Sequence, residues 1–471
     1  MTPHAAFEFL NRSTGAAPLP VPEFEGAEPQ KSTSEKSAAE KASEKPLESF
    51  PTPFRLATAA ASSLAFGAAA AGEIWRFRGG EKQAVRIDLA AACASLTAPS
   101  IVRRNGSSIP PYKDETATTG FYQSADRRWL YLRGGFAHLA RRTLELLNAK
   151  DNAKSVAEAV AKWNGLALED AVGFLGLAGA VVRSAEEWRA LDAKPPSPIT
   201  LTKIGEAPPF RPQNSATPLG GLRVLGLTRL LAGEAATWCL AAHGAEVLSI
   251  RSPRHPAADE VAFAAGKQAR ELDLAKPGDA EALRLLVRDA QIFVDSHRPG
   301  ALAKLGFSPA TLAHAAPGIV TVSLSAYSGP WAPRRGFEAV VEAATGLAAE
   351  QGVYLAAKRA RPQEALPALI GAPVLCTLTG YLAAAGAMAA VLRRIREGGS
   401  WHVEVSLAAT AAWLMSLGRI DAAQMTPRDG LDPYLYSCET KDGWFELLGP
   451  VVRMDKTPLI KGVLPDRLEF P

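Results

Sequence analysis

The sequence predicts an α/β protein built on an open, doubly wound parallel sheet. The first indication is a strand–helix–strand pattern in which apolar runs at 222–227 and 245–250 flank a helical stretch at 231–243. These lengths suit a parallel pair of strands joined by a crossover helix. The alternation then continues with a helix at 280–290 and strands at 291–294 and 319–324. Short apolar strands alternating with helices favour a sheet with helices on both faces.

The composition sets limits on the class of protein. The 471 residues are 47% hydrophobic, which is ample for a sizeable core, and 21% charged. With 52 basic against 48 acidic residues the net charge is only +4, so we do not expect nucleic acid as a partner. The four cysteines are far apart and show no zinc-ligand spacing. They indicate reduced thiols in a cytoplasmic compartment and no metal.

No targeting or membrane-spanning segment is expected. The first fifteen residues lack a basic segment followed by an apolar one. The most membrane-like run, 57–72, consists mostly of Ala, Ser and Gly and is followed at once by Glu73 and Arg76. We interpret it as a tightly packed helix of a protein that does not enter the membrane.

Four segments are expected along the chain. Residues 1–50 form an N-terminal extension, in which 31–46 contain only Lys, Ser, Thr, Glu, Ala and Pro and are predicted to be flexible. Residues 51–205 and 219–471 form two α/β segments, and the proline-rich stretch 206–218 is the linker between them.

The two α/β segments share a repeat. Residues 64–91 align without a gap to 382–409, at a constant offset of 318 residues (Leu64 to Leu382, Ala91 to Ala409). Each copy predicts an Ala-rich helix, a basic turn with glycine, and an alternating strand. We therefore expect the segment 51–205 to repeat the C-terminal part of the segment 219–471.

The loops after two strands offer groups that can bind phosphate. The turn after 222–227 lacks GxGxxG, which argues against a dinucleotide site of that kind. However, the helix start at Leu230, Leu231 and Ala232 presents backbone N–H groups, with Arg229 beside them. Arg298 follows the strand at 291–294, at the edge where open α/β sheets bind ligands. The alternative is a solvated loop arginine for Arg229 and a plain strand-to-helix turn for Arg298.

A series of short motifs runs from about residue 218 to 417. They read GLRVLGLTRLLAG (221–233), GAEVL (244–248), RPGALAKLG (298–306), VSLSAY (322–327), GFE (336–338), TGYL (379–382) and VEVSL (403–407). In this order they resemble class III (CaiB/BaiF-type) CoA-transferases. Residues 53–204 are similar to the part of that fold that normally lies toward the C-terminus, so the chain resembles a tandem or permuted form of the family.

The resemblance implies a Rossmann-like CoA-binding domain and acyl-CoA and carboxylic acid substrates, with a homodimer as one assembly state. Lys267, Arg298 and Lys304, together with Arg229 and the helix start at 230–232, would bind the nucleotide end of CoA. Several family positions differ here, since Gln268 and Ala269 follow Lys267, and Ser296 replaces the usual Asn.

Family members transfer CoA through an aspartate, and the resemblance places Cys376 at that position. The equivalent residue of the N-terminal repeat is Thr58. A thiolate can also accept an acyl group from a thioester, whereas a cysteine in an apolar segment is inert when it is buried. The nearest upstream carboxylate is Glu364.

Three functions remain open at this point. The first is CoA transfer between carboxylic acids or related acyl-CoA chemistry. The second is a catalytically degenerate homologue or partner subunit that binds CoA. The third is an acyl-CoA racemase or isomerase, which needs two groups flanking the α-carbon.

Overall fold

The computed structural model describes residues 1–15, 18–26, 51–109, 116–191, 197–253, 261–420 and 431–465. The predicted flexible stretch 31–46 lies outside them. The α-helices of the described part are α1 (Pro3–Ser13), α2 (Leu56–Phe77), α3 (Leu89–Ser95), α4 (Ala98–Ile101), α5 (Ala137–Leu147), α6 (Ala153–Val160), α7 (Gly165–Phe174), α8 (Ala185–Leu191), α9 (Leu231–Ala242), α10 (Pro277–Asp289), α11 (Pro309–Ala315), α12 (Glu338–Thr345), α13 (Leu347–Lys358), α14 (Val374–Glu397) and α15 (Leu407–Ser416).

The strands form one large sheet and three small ones. In chain order they are β1 (Glu23–Glu25), β2 (Val85–Asp88), β3 (Arg103–Arg104), β4 (Ser107–Ser108), β5 (Gly120–Gln123), β6 (Trp129–Leu132), β7 (Gly179–Val181), β8 (Thr200–Gly205), β9 (Arg223–Leu227), β10 (Glu246–Arg251), β11 (Lys267–Glu271), β12 (Ile292–Asp295), β13 (Val320–Ser325), β14 (Ser400–Ser406), β15 (Leu435–Thr440), β16 (Gly443–Leu448) and β17 (Val452–Met454). The small sheets are β1-β2-β17, β15-β16-β3-β4 and β5-β6-β7.

The large sheet confirms the predicted doubly wound architecture. Its order is β11-β10-β9-β12-β13-β14-β8, in which the first six strands are parallel and β8 is antiparallel. Counted from β9, the parallel strands run 3-2-1-4-5-6, the order typical of doubly wound sheets. Alternate residues of β9 are buried on opposite faces, Val224 in the core with α9 and α14 and Leu225 in the core with α10 and α11.

The predicted repeat is confirmed as matching secondary structure. Helices α2 and α14 begin at Leu56 and Val374, and strands β2 and β14 end at Asp88 and Ser406, all at the same offset of 318. Each strand is followed directly by a helix, and the side chain of the strand's last residue caps the first turn of that helix. Asp88 accepts from the Ala91 N–H at 2.7 Å, and Ser406 accepts from the Ala409 N–H at 3.1 Å.

The repeats are packed against each other. Helix α14 is the one helix of the described part long and apolar enough to span a membrane, yet 94% of its apolar window is buried within the protein. Small residues allow its close packing, since a Cβ on Gly67 of α2 would lie 2.8 Å from Met388 Cε. A Cβ on Gly380 would lie 2.5 Å from the Ala232 carbonyl oxygen of α9. The start of α14 is thereby held beside the start of α9.

We expect Gly380→Val to destabilise the protein, because the added side chain meets the α9 backbone, which cannot yield as a flexible side chain does. Overpacking of this kind costs about 1–3 kcal/mol in the free energy of unfolding. Gly278→Ala is the matched control, because no atom lies within 4 Å of the added Cβ. Denaturant unfolding of both variants makes the measurement, and equal stability of the two would contradict the packing described here.

The predicted segment boundaries separate elements that pair in space. Strand β8, from the segment 51–205, is the edge strand of the large sheet through its pairing with β14. Strand β2 pairs with β17, near the other end of the chain. The predicted linker is mostly exposed, but its last residue is held in place, since Arg78 donates to the carbonyl oxygens of Pro218 and of the nearby Gly220, each at 2.8 Å. The N-terminal segment therefore contributes to the architecture around the large sheet.

Candidate functional site

A pocket of about 310 Å³ lies at the carboxyl edge of the large sheet. It extends from β11 to β12 and so includes the point where the strand order reverses, between β9 and β12, which is where open α/β sheets bind ligands. Four parallel strands supply its walls through the residues that follow or end them. The lining residues are Leu227, Thr228, Arg229, Ile250, Arg251, Ser252, Leu272, Asp273, Leu274, Ala275, His297, Ala301, Leu302 and Leu305. We call it the edge pocket.

Arg229 lies at the edge pocket, as the sequence predicts, with Leu230, Leu231 and Ala232 directly after it at the start of α9. The Arg229 backbone N–H donates to Ser296 Oγ at 3.2 Å, which ties the β9 loop to the β12 loop. Its half-buried guanidinium lies over the Phe136 ring, 5.3 Å from the centroid. Burial lowers the pKa of Arg229, because charge is less stable away from water.

The two predicted lysines lie in different surroundings. The Lys267 ammonium is buried, forms an ion pair with Glu234 of α9, and donates to Thr237 Oγ1 at 3.2 Å. This geometry favours a role in joining β11 to α9 over contact with a phosphate. Lys304 is exposed near the rim, two residues after Leu302 of the pocket lining.

Four arginines gather beside the edge pocket, and we call them the arginine cluster: Arg142, Arg229, Arg298 and Arg335. The positive charges of the other three lower the pKa of Arg335, in addition to the larger effect of its burial. Arg142 donates to the Leu175 carbonyl and Arg335 to the Gly176 carbonyl, each at 2.9 Å. The segment after α7 therefore holds two of the guanidiniums in place.

Within the described residues, no carboxylate pairs with any of these four guanidiniums. Like charges repel, and the partial burial of Arg142, Arg229 and Arg335 increases the repulsion. An anion with several charges would relieve it and would accept charge-assisted hydrogen bonds from guanidinium groups. The cluster is therefore suited to a ligand with more than one phosphate or carboxylate.

Cys376 is partly exposed in the first turn of α14, where it meets a carboxylate. Glu338, the first residue of α12, accepts from the backbone N–H of Leu375 and of Cys376, each at 2.7 Å. The Cys376 thiol is near enough to this carboxylate to act on it, in the direction that lowers the pKa of Glu338. Glu338 thus satisfies helix N–H groups that have no partner within the helix and places negative charge at its positive end. We call Cys376 and Glu338 the thiol–carboxylate pair.

The surroundings of Glu338 favour its protonated form. Burial raises the pKa of Glu338 to about 7, although the hydrogen bonds from Cys376 and Leu375 act in the opposite direction. One turn further along α12, Glu342 is fully buried and accepts from the Ile370 N–H at 2.9 Å. Burial, with the charge of Glu338 as the second cause, raises the pKa of Glu342 well above its usual value.

Two aromatic rings connect the arginine cluster to the thiol–carboxylate pair. Phe136, which contacts Arg229, packs against Phe337 with ring centroids 5.9 Å apart. Phe337 directly precedes Glu338, and Arg335 lies three residues before Glu338. These two rings therefore link Arg229 to the segment that carries Arg335 and Glu338.

Sequence reasoning missed Arg142, Arg335 and the role of Glu338. Glu338 stands in the GFE motif, but no signal in the sequence connects it to Cys376, 38 residues later. Glu364, the nearest upstream carboxylate, is exposed and pairs with Arg361 at 3.4 Å, so it does not serve Cys376. At the repeat position, Thr58 is fully buried, and only Cys376 of the two is partly exposed.

Comparisons with known proteins give a consistent result. The model of the family described as CoA-transferase family III matches residues 219–450. An acyl-CoA transferase of Gibberella moniliformis is 29% identical over 352 residues, which cover 67% of this chain and 60% of that protein. A succinyl-CoA:glutarate CoA-transferase of Mus musculus is 27% identical and covers 50% of this chain and 58% of its own length. The chain thus spans less than two thirds of these relatives.

Among solved structures, a CAIB/BAIF family protein from Brucella suis matches with a TM-score of 0.38 and 23% identity, over 48% of this chain and 65% of that one. The sequence motifs and the family model agree on the same part of the chain. The predicted resemblance is therefore confirmed, whereas the tandem or permuted arrangement and the equivalence of Cys376 to the family aspartate stay predictions.

Proposed function

We propose that the protein binds CoA thioesters and transfers CoA between carboxylic acids, because the model of CoA-transferase family III matches residues 219–450. The observation that carries the proposal is the arginine cluster, which has no carboxylate partner in the described part of the chain and adjoins a pocket at a sheet switch point. The phosphates of CoA supply the several negative charges that such a cluster requires.

The Rossmann-like strand order supports the same placement of the ligand. In this proposal the nucleotide end lies at the edge pocket and the arginines, with Arg229 and Arg298 on its phosphates. The thioester end passes Phe136 and Phe337 toward the thiol–carboxylate pair. A cytoplasmic location suits cysteines that form no disulfide with one another within the described residues. No metal is part of the proposal, and a homodimer stays a prediction.

A racemase is less well supported by the geometry. That reaction needs a proton acceptor and a proton donor on opposite faces of the substrate's α-carbon. Cys376 and Glu338 are in contact, so they approach a substrate from the same side.

The degenerate CoA-binding homologue differs from an enzyme only in turnover. Incubation with succinyl-CoA and glutarate, followed by mass detection of glutaryl-CoA, separates the two, and absence of exchange despite CoA binding would favour the degenerate homologue.

We expect Arg298→Ala to weaken CoA binding, because charge-assisted hydrogen bonds to a phosphate are lost. The expected change is about 1.5–3 kcal/mol in binding free energy, measured by isothermal titration calorimetry. Arg142→Ala should have an effect in the same direction. Weaker CoA binding by the Arg142→Ala variant would show that the N-terminal segment contributes to the ligand site.

Arg223→Ala provides the matched control. Arg223 lies at the amino end of β9, opposite the edge pocket, in an exposed pair with Asp289 at 3.5 Å. Its removal should leave CoA affinity within about twofold, since exposed pairs contribute little. Absence of CoA binding to the unmodified protein at millimolar ligand would contradict the proposed function.

A further inference from the structure

The thiol–carboxylate pair has the arrangement of a nucleophile with its base. The Glu338 carboxylate accepts from the backbone N–H of Cys376 at 2.7 Å, which places it beside the Cys376 side chain, and the bond from the Leu375 N–H helps to fix its orientation. A nucleophile in contact with a base that is itself oriented by a third group is the usual signature of covalent catalysis. A carboxylate has about four acceptor positions, so these two N–H groups leave capacity for the thiol.

A second observation indicates that a ligand reaches this pair. The arginine cluster lies on the other side of Phe136 and Phe337, and its four positive charges have no carboxylate partner in the described chain. The other cysteines of the described residues, Cys93, Cys239 and Cys438, are buried, and only Cys376 is partly exposed. The accessible thiol is therefore the one next to the anion site.

On the basis of the proposed CoA binding, we propose that Cys376 accepts the acyl group of the bound thioester and that Glu338 is the base. The Cys376 sulfur forms a bond to the thioester carbonyl carbon as the bond from that carbon to the CoA sulfur breaks. The thiol proton moves to the Glu338 carboxylate and from there to the departing CoA sulfur. Acyl-CoA and unacylated Cys376 are thereby converted to acyl-Cys376 and CoA, with no other reactant. For transfer between acids, the acceptor carboxylate then displaces the Cys376 thiolate to form a mixed anhydride, and CoA attacks the acceptor's acyl carbon and releases the donor acid.

The acid–base properties of Glu338 suit this exchange. Burial raises the pKa of Glu338 to about 7, so near neutral pH it is present in both forms and can accept a proton and return it. The step is reversible, since it exchanges one thioester for another. Labelled free CoA should therefore enter the acyl-CoA pool through acyl-Cys376.

The test is intact-protein mass spectrometry after acid quench, with acetyl-CoA and succinyl-CoA as the probes. We expect a mass increase equal to the acyl group alone, which neutral hydroxylamine removes, because it cleaves thioesters. Cys376→Ala should abolish the adduct and the exchange of labelled CoA. Glu338→Gln should slow adduct formation by about 10²-fold or more, the usual effect of losing a general base.

Two further measurements keep these outcomes interpretable. Glu338→Gln alters the contact between α12 and α14, so circular dichroism and CoA titration confirm that each variant folds and binds CoA. Cys376→Ser leaves the backbone bonds to Glu338 in place and should also lose the thioester adduct. The control Cys438→Ser changes a buried thiol outside the site and should retain the adduct.

Three results would overturn the inference. An adduct that persists in Cys376→Ala would place the acyl group elsewhere. A mass increase equal to CoA minus water would show that a carboxylate, such as Glu338, carries CoA. CoA binding without an adduct in the unmodified protein would refute the acyl-cysteine and leave the proposed function standing, whereas absence of CoA binding would refute the proposed function itself.

Discussion

Replacing Glu169 with Gln is expected to lower the free energy of unfolding by about 3–5 kcal/mol, because the buried Arg183 guanidinium is then left without a counter-charge. The two side chains are 3% and 5% exposed, so water cannot compensate. Arg183 Nη1 donates to Glu169 Oε1 at 2.6 Å, and Glu169 also accepts from the Val181 N–H at 2.8 Å. The pair joins α7 to β7.

The loss of stability in Glu169→Gln should be accompanied by weaker ligand binding. Leu175 and Gly176 directly follow α7, and their carbonyl groups accept hydrogen bonds from Arg142 and Arg335 of the arginine cluster. We therefore expect Glu169→Gln to weaken CoA binding as well, measured by calorimetry beside thermal unfolding. Arg141→Ala, which breaks an exposed pair with Glu145 on α5, is the matched control and should change stability by less than about 0.5 kcal/mol. An equal effect of the two variants would contradict the assigned role of the buried pair.

The second large effect concerns pH. Burial raises the pKa of Glu338 from 4.5 to about 7 and that of Glu342 well above 4.5, so the folded protein holds protons that the unfolded chain releases. The stabilisation by these protonated groups is complete below about pH 4.5, where both states are protonated. This stabilisation is lost as pH rises through the folded-state pKa. The raised pKa of Glu338 corresponds to a loss of about 3 kcal/mol in the free energy of unfolding.

Glu342→Gln isolates this effect, because the amide cannot ionise and its oxygen can still accept from the Ile370 N–H. We expect the variant to resemble the unmodified protein in stability at pH 5 and to be more stable at pH 8–9. Denaturant unfolding across this pH range gives the difference, and Glu364→Gln, an exposed carboxylate, provides the control. A stability difference that does not change with pH would show that Glu342 is ionised in the folded protein.

Much of the fold follows from local patterns in the sequence. Strand β9 and helix α9 were predicted within one residue of their observed bounds, because short apolar runs and helical periodicity record which faces are buried. Strand β11 was not predicted. Its residues after Lys267 are exposed at the edge of the sheet and, apart from Ala269, polar, so no apolar run marks it.

The candidate site, like the fold, was predicted from the sequence only in part. The sequence by itself determined that the loops after β9 and β12 meet at one edge, because parallel strands place their carboxyl ends together, and it identified Arg229, Arg298 and Cys376 as candidates. Only the tertiary structure decided which charges meet there: Lys267 pairs with Glu234, and Glu338 caps the helix that carries Cys376. Periodicity specifies the buried face of each element, whereas the partner of a charged side chain depends on how distant elements pack, which no local pattern encodes.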